Sequence, residues 1–132
     1  MKPIRVLIID EHPAVRRALK TRLESVAEIE VVGAVEDIVE GELAAHQMQP
    51  DVILLGLKSY AHNAAATLSQ AVTQLHEAGS AVLILSPYPD DVEQEIFYQV
   101  GASGYLLKDI NSPQLISAIQ QVINTNEVNI NG

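Results

Sequence analysis

The chain has 132 residues, 48% of them hydrophobic, enough for one domain with its own core and too apolar for a disordered segment. It has no cysteine, which excludes disulfides and thiolate chemistry, and its net charge of -9 argues against unaided binding to nucleic acid or an anionic membrane. The apolar runs are strand-length, far short of the ~20 residues that span a bilayer, and the N-terminus lacks a signal-peptide pattern, so a cytoplasmic location is expected.

In chain order, strand-like runs alternate with helical patterns. Ile4 to Ile9 reads as the first strand, and a helix follows from near Pro13, with Val15, Ala18, Leu19 and Leu23 at helical spacing. Glu30 to Val35 is the second strand, with Gly33 as a blemish. Asp37 to Met48 reads as a helix turning Ile38, Leu43 and Ala44 inward, and Pro50 stops it ahead of a third strand, Asp51 to Leu55. A polar loop, Lys58 to Asn63, leads to a helix ending near Glu77, with Leu68, Ala71, Val72 and Leu75 on one face. Gly79 ends it. Ala81 to Leu85 is the fourth strand. The stiff loop from Pro87 to Asp91 opens a helix carrying Val92, Ile96, Phe97 and Val100. Gly101 and Gly104 bracket a turn before a short strand, Tyr105 to Leu107. The last helix runs from about Ser112 to Ile123, with Leu115, Ile116, Ile119, Val122 and Ile123 buried, and the residues from Asn124 on read as a polar tail expected to fray.

Strands buried on both faces read as continuous apolar runs, and repeated βα units imply a parallel sheet with helices on both sides. In such a sheet, ligands bind beyond the carboxyl ends of the strands at a topological switch point. Those ends carry Asp10 and Glu11 after the first strand, Gly56 after the third, Ser86 after the fourth and Lys108 after the fifth. An acidic pair and a lysine converging on a glycine suggest a phosphoryl-transfer site whose acceptor has been removed. Each residue also has a plainer reading. The acids suit a helix N-terminus, Lys108 suits a structural ion pair with Asp10, Ser86 can satisfy a backbone group at a strand end, Gly56 can serve a tight turn, and Tyr105 can be a half-buried packing residue. His12 lies beside the acids, and the histidines show no metal-ligand spacing. No nucleophile–base pair or glycine-rich phosphate loop suggests an enzyme.

This arrangement, over residues 3 to about 124, resembles the receiver domain of bacterial response regulators (CheY-like superfamily). Val6 to Arg16 and Gly101 to Asp109 look most like the LuxR/NarL-type group. The resemblance implies an α/β, flavodoxin-like (βα)5 fold with a five-stranded parallel sheet in the order 2-1-3-4-5. It also implies that a histidine kinase's phosphoryl group passes to an aspartate at the end of the third strand, with Mg²⁺ held by the acids. The matching positions are Asp10 and Glu11 for metal, Ser86 for the hydroxyl, Lys108 for the cation and Tyr105 for the switch aromatic. Three departures follow. Gly56 has no side chain to phosphorylate, the loop Leu57-Lys58-Ser59-Tyr60 lacks the usual Met-Pro, and Glu11, longer than the usual aspartate, is placed to reach the space beside Gly56. Without a third carboxylate, Mg²⁺ binding at Asp10 and Glu11 is expected to be weak or lost, and no other cofactor is implied.

The expectation is therefore an atypical receiver over residues 1–124, with residues 125–132 a polar tail or the start of a linker to an absent output domain. It would work in two-component-type signalling through protein partners or a second copy of itself, using the fourth helix, fifth strand and fifth helix. DNA would be contacted only through a helix-turn-helix outside this chain, and no membrane contact is expected. Two alternatives stand beside it. One is phosphorylation at a substitute acceptor, Asp10 or Glu11. The other is a small-ligand or anion sensor that uses the vacated pocket against Lys108 and nearby helix N-termini.

Overall fold

The computed structural model describes residues 2–58 and 64–131. Five strands form one parallel sheet in the order β2-β1-β3-β4-β5: β1 (Ile4–Ile9), β2 (Ile29–Val35), β3 (Val52–Gly56), β4 (Ala81–Ser86) and β5 (Gly104–Leu107). The helices are α1 (Pro13–Leu23), α2 (Ile38–Met48), α3 (Ala64–Glu77), α4 (Asp91–Gln99) and α5 (Ser112–Asn131). The expected flavodoxin-like order is the observed one.

Side chains alternate along the strands and so build two cores. Leu7, Ile9, Ile53, Leu55, Val82 and Ile84 face one side, where Val72 and Leu75 of α3 and Phe97 of α4 cover them. Val6, Ile8, Val52, Leu54, Leu83 and Leu85 face the other, against Leu19 and Leu23 of α1 and Leu115 and Ile119 of α5. Each fully buried side chain of this size contributes about 1.5–3 kcal/mol relative to exposure.

Local chemistry sets the helix ends that matter for the site. Pro13 occupies the first turn of α1, after the extended residue His12. The Asp37 carboxylate caps α2 by accepting from the Glu40 N–H at 2.9 Å, and the Asp90 carboxylate caps α4 through the Glu93 N–H at 3.0 Å. The α2 helix ends with Gln49 in the left-handed region, where the Arg5 guanidinium donates to the Met48 and Gln49 carbonyls at 2.6 and 3.1 Å.

Two details, the inward face of α2 and the end of α5, differ from the sequence reading. Leu43, expected inward, is 59% exposed. Ala44 faces the sheet as expected, and Gly41 joins it in place of Leu43, because α2 lies so close to β1 that a Cβ on Gly41 would meet the Ile9 Cδ1 at 2.3 Å. Val92 and Ile96 are exposed, and Phe97 alone of α4 is fully buried. The fifth helix continues past Ile123 to Asn131, through the segment expected to fray; no proline or glycine interrupts it there. The blemish at Gly33 coincides with a register shift, in which Val6 pairs with Val31 and Leu7 with Gly33.

Candidate functional site

The sheet register brings the strand ends into one line. Ile9 pairs with Leu55, Gly56 with Leu85, and Ser86 with Leu107. Asp10, Gly56, Ser86 and Lys108 consequently lie along a single edge. Glu11 sits beside them at the entry to α1, and Tyr105 stands further down β5.

Asp10 is 1% exposed, and every polar atom of it is engaged. Its backbone N–H donates to the Val35 carbonyl at 3.0 Å, and its own carbonyl accepts from Arg16 Nη1 at 2.5 Å. Its Oδ1 accepts from the His12 N–H at 2.9 Å, and its Oδ2 from Lys108 Nζ at 2.8 Å. The Lys108 N–H donates to the Ser86 carbonyl at 2.8 Å, which holds the base of the lysine against β4.

The position of this carboxylate depends on Gly56. A Cβ on Gly56 would lie 2.0 Å from Asp10 Oδ2 and 2.9 Å from its Cγ, so Asp10 occupies the room that any side chain at position 56 would need. The sequence reading gave that space to Glu11. Glu11 instead turns towards Lys58 and His12, with its Oε2 and Oε1 each 3.6 Å from Lys58 Nζ and His12 Nε2. Lys108 holds Asp10 over the glycine, which leaves no room there for Glu11. Among the described residues, no group of three His, Asp or Glu side chains is placed to hold a metal ion. Tyr60 and the rest of the loop at 59–63 lie outside the described residues.

Ser86 is buried, and its hydroxyl donates to the Tyr88 carbonyl at 2.6 Å, which is the backbone contact of its plainer reading. Tyr105 is half-buried, its ring 6.4 Å from that of Phe97 and tilted by 33°. Its hydroxyl donates to Glu93 Oε1 at 2.9 Å, which ties β5 to α4. Burial pushes its pKa up from 10.0 to about 12, with the Glu93 carboxylate adding to the rise and the Ser86 hydroxyl opposing it. Neither the Tyr105–Glu93 bond nor the Arg16 contact was legible in the sequence. Both depend on side-chain directions at the tops of helices, which apolar spacing does not encode.

The family profile described as "response regulator receiver domain" matches residues 6–120. The chain belongs to the response regulator receiver domain family. Relatives of this receiver are NarL-type regulators. It is 33% identical to the transcriptional regulatory protein LiaR of Bacillus subtilis (strain 168) over 117 residues, 89% of this chain and 54% of LiaR. It is 32% identical to the nitrate/nitrite response regulator protein NarL of Escherichia coli (strain K12) over 120 residues, 91% of this chain and 55% of NarL. The chain thus spans about half the length of these curated relatives. Its fold matches that of the signal receiver domain of a response regulator NarL from Mycobacterium tuberculosis, with a TM-score of 0.80, 24% identity, and 92% and 97% of the two chains covered. Among the described residues, no helix of the receiver is long and apolar enough to cross a membrane.

Proposed function

We propose that this receiver signals without phosphorylation at position 56, as a protein-interaction module in two-component-type signalling that regulates transcription or a partner protein. The observation that carries the reading is the placement of Asp10 over Gly56, in contact with Lys108. In this reading Gly56 is the acceptor position, and the residues that would serve a phosphoryl group are satisfied without one. Lys108 is held by Asp10, and the Ser86 hydroxyl by the Tyr88 carbonyl. Asp10 at 1% exposure offers no attack path to a phosphodonor, which counts against it as a substitute acceptor.

The donor set does not suit Mg²⁺. That ion requires near-octahedral oxygen ligands and dehydrates reluctantly. Here Asp10 gives one oxygen to Lys108 and the other to the His12 N–H, which leaves Glu11, among the described residues, as the one carboxylate of the pair without a hydrogen bond. One carboxylate does not replace the several waters that a divalent cation must shed. No step of the proposed function passes through a metal.

The interaction surface we assign is α4, β5 and α5. Val92 at 71%, Ile96 at 37% and Leu107 at 37% exposure leave apolar area open on it. Tyr105 and Glu93 fix α4 against β5 beneath that surface. In this account the tyrosine acts as a fixed strut, and a partner protein or a second copy of the chain reads the face in one standing conformation. A histidine kinase lineage is implied by the family, and contact with DNA falls to a separate output domain. Sedimentation velocity with and without Mg²⁺ and beryllofluoride tests the proposal. The sedimentation coefficient should not change; a ligand-dependent shift would show a responsive phosphoryl site and refute it.

A further inference from the structure

Beside Gly56, on the α2 and α3 side of the sheet, lies a cavity of about 250 Å³. Ile9, Ile38, Leu55, Leu57 and Leu68 supply its apolar walls. Lys108, the cation that an anion sensor would use, does not line it; its Nζ is engaged by Asp10 Oδ2 at 2.8 Å. The polar rim carries Glu11, Glu36, Asp37 and Lys58, three carboxylates against one ammonium.

These acids differ in how far they are committed. Asp37 caps α2. The Glu11 carboxylate has only the 3.6 Å approaches of Lys58 and His12, longer than hydrogen bonds, and Lys58 is 66% exposed. Among the described residues, the Glu36 side chain makes no hydrogen bond or ion pair; only its backbone N–H is used, donating to Glu40 Oε2 at 3.2 Å. The rim therefore has acceptor capacity and a net negative charge, above a wall of branched aliphatic side chains. We propose that this cavity binds a small organic cation, a primary amine on a compact apolar body, with the ammonium at Glu11 and Glu36 and the apolar body between Ile38, Leu55 and Leu68. The size agrees. An apolar cavity of about 150 Å³ accepts benzene, so one of about 250 Å³ has room for a six-membered ring and an aminomethyl group. Charge excludes the opposite sign, since a carboxylate or phosphate would meet three acids and one loosely held lysine.

The test is a titration of the isotopically labelled 132-residue chain with benzylamine, with benzoate as its counterpart of opposite charge, followed by methyl NMR. Benzylamine should shift the Ile38, Leu55 and Leu68 methyl signals saturably at millimolar concentration, and benzoate should not. Glu11→Gln should weaken the amine about tenfold, the scale of one charge-assisted hydrogen bond, and Leu68→Trp should abolish binding by filling the cavity. Should the tryptophan variant fail to fold, Glu11→Gln decides alone. Absence of saturation with benzylamine, equal binding of benzoate, or unchanged amine affinity in Glu11→Gln would each overturn the proposal.

Discussion

Adding a single methyl group at position 56 should destabilise this receiver, although glycine in a strand interior is normally the poorer residue. Alanine replaces strand glycine with a gain of about 0.5–1 kcal/mol when space allows. Here the new Cβ would stand 2.0 Å from Asp10 Oδ2, so the carboxylate must rotate away. Rotation breaks the 2.8 Å contact with Lys108 and the 2.9 Å bond from the His12 N–H, both made by a side chain that is 1% exposed. Charge-assisted bonds of this kind contribute about 1.5–3 kcal/mol each. Removing one partner of a buried pair costs about 3–5 kcal/mol, but Asp10 and Lys108 both survive the substitution and part of their charge is rehydrated at the open strand ends. With the strand gain subtracted, Gly56→Ala should cost about 1–3 kcal/mol and lower Tm by about 4–10 °C. Urea and thermal unfolding followed by circular dichroism measure it. In an Asp10→Ala background the carboxylate is gone and only the residue-10 Cβ, at 3.3 Å, stays close to the new methyl, so the same Gly56→Ala change should be near neutral, giving a coupling of about 1–3 kcal/mol in the double-mutant cycle. A Gly56→Ala variant as stable as the parent, or additive single and double mutants, would refute the placement of Asp10 over the glycine.

Three further outcomes follow from the same geometry. Gly56→Asp expels Asp10 in the same way and adds a third carboxylate to Asp10 and Glu11; calorimetry should then register Mg²⁺ binding tighter than in the parent, and equally tight binding in the parent would contradict the shortage of carboxylates described here. Ultraviolet titration should find one tyrosine with a midpoint of about 12, absent in Tyr105→Phe. Because folding raises that pKa from 10.0, the folded state keeps a proton that the unfolded state loses, so Tyr105's contribution is intact below pH 10 and is lost as pH rises from 10 to 12; a midpoint near 10 for every tyrosine would argue against the buried bond to Glu93. Val92→Glu lies on the exposed face of α4, so it should weaken whatever association sedimentation velocity finds through the proposed face while changing stability by no more than about 0.5 kcal/mol; unaltered association would move the interface off α4.

The fold was largely legible in the sequence because each signal it needs is local. Continuous runs such as Val52 to Leu55 mark strands buried on both faces, Pro13 and Asp37 mark helix starts, and Gly79, with φ of 108°, marks a stop that other residues rarely adopt. The convergence of Asp10, Gly56, Ser86 and Lys108 was legible for the same reason, since strand ends in a parallel sheet share one edge. The inward face of α2 was not. Apolar counting favours Leu43, whereas the close approach of α2 to Ile9 favours Gly41, and only the packed helix reveals that contact. The identity of the carboxylate beside Gly56 was also out of reach. Glu11 is longer and Asp10 nearer, and Lys108, distant in sequence, fixes Asp10 there.

The central claim, that signalling here does not use a phosphoryl group, is met most directly by the intact mass of the protein after incubation with acetyl phosphate and Mg²⁺, beside a phosphorylatable receiver as positive control. The account predicts an unmodified mass for this chain and a phosphoryl adduct on the control. A labile adduct at near-stoichiometric level on this chain would contradict it, and mapping the modified residue would name the acceptor that replaces position 56.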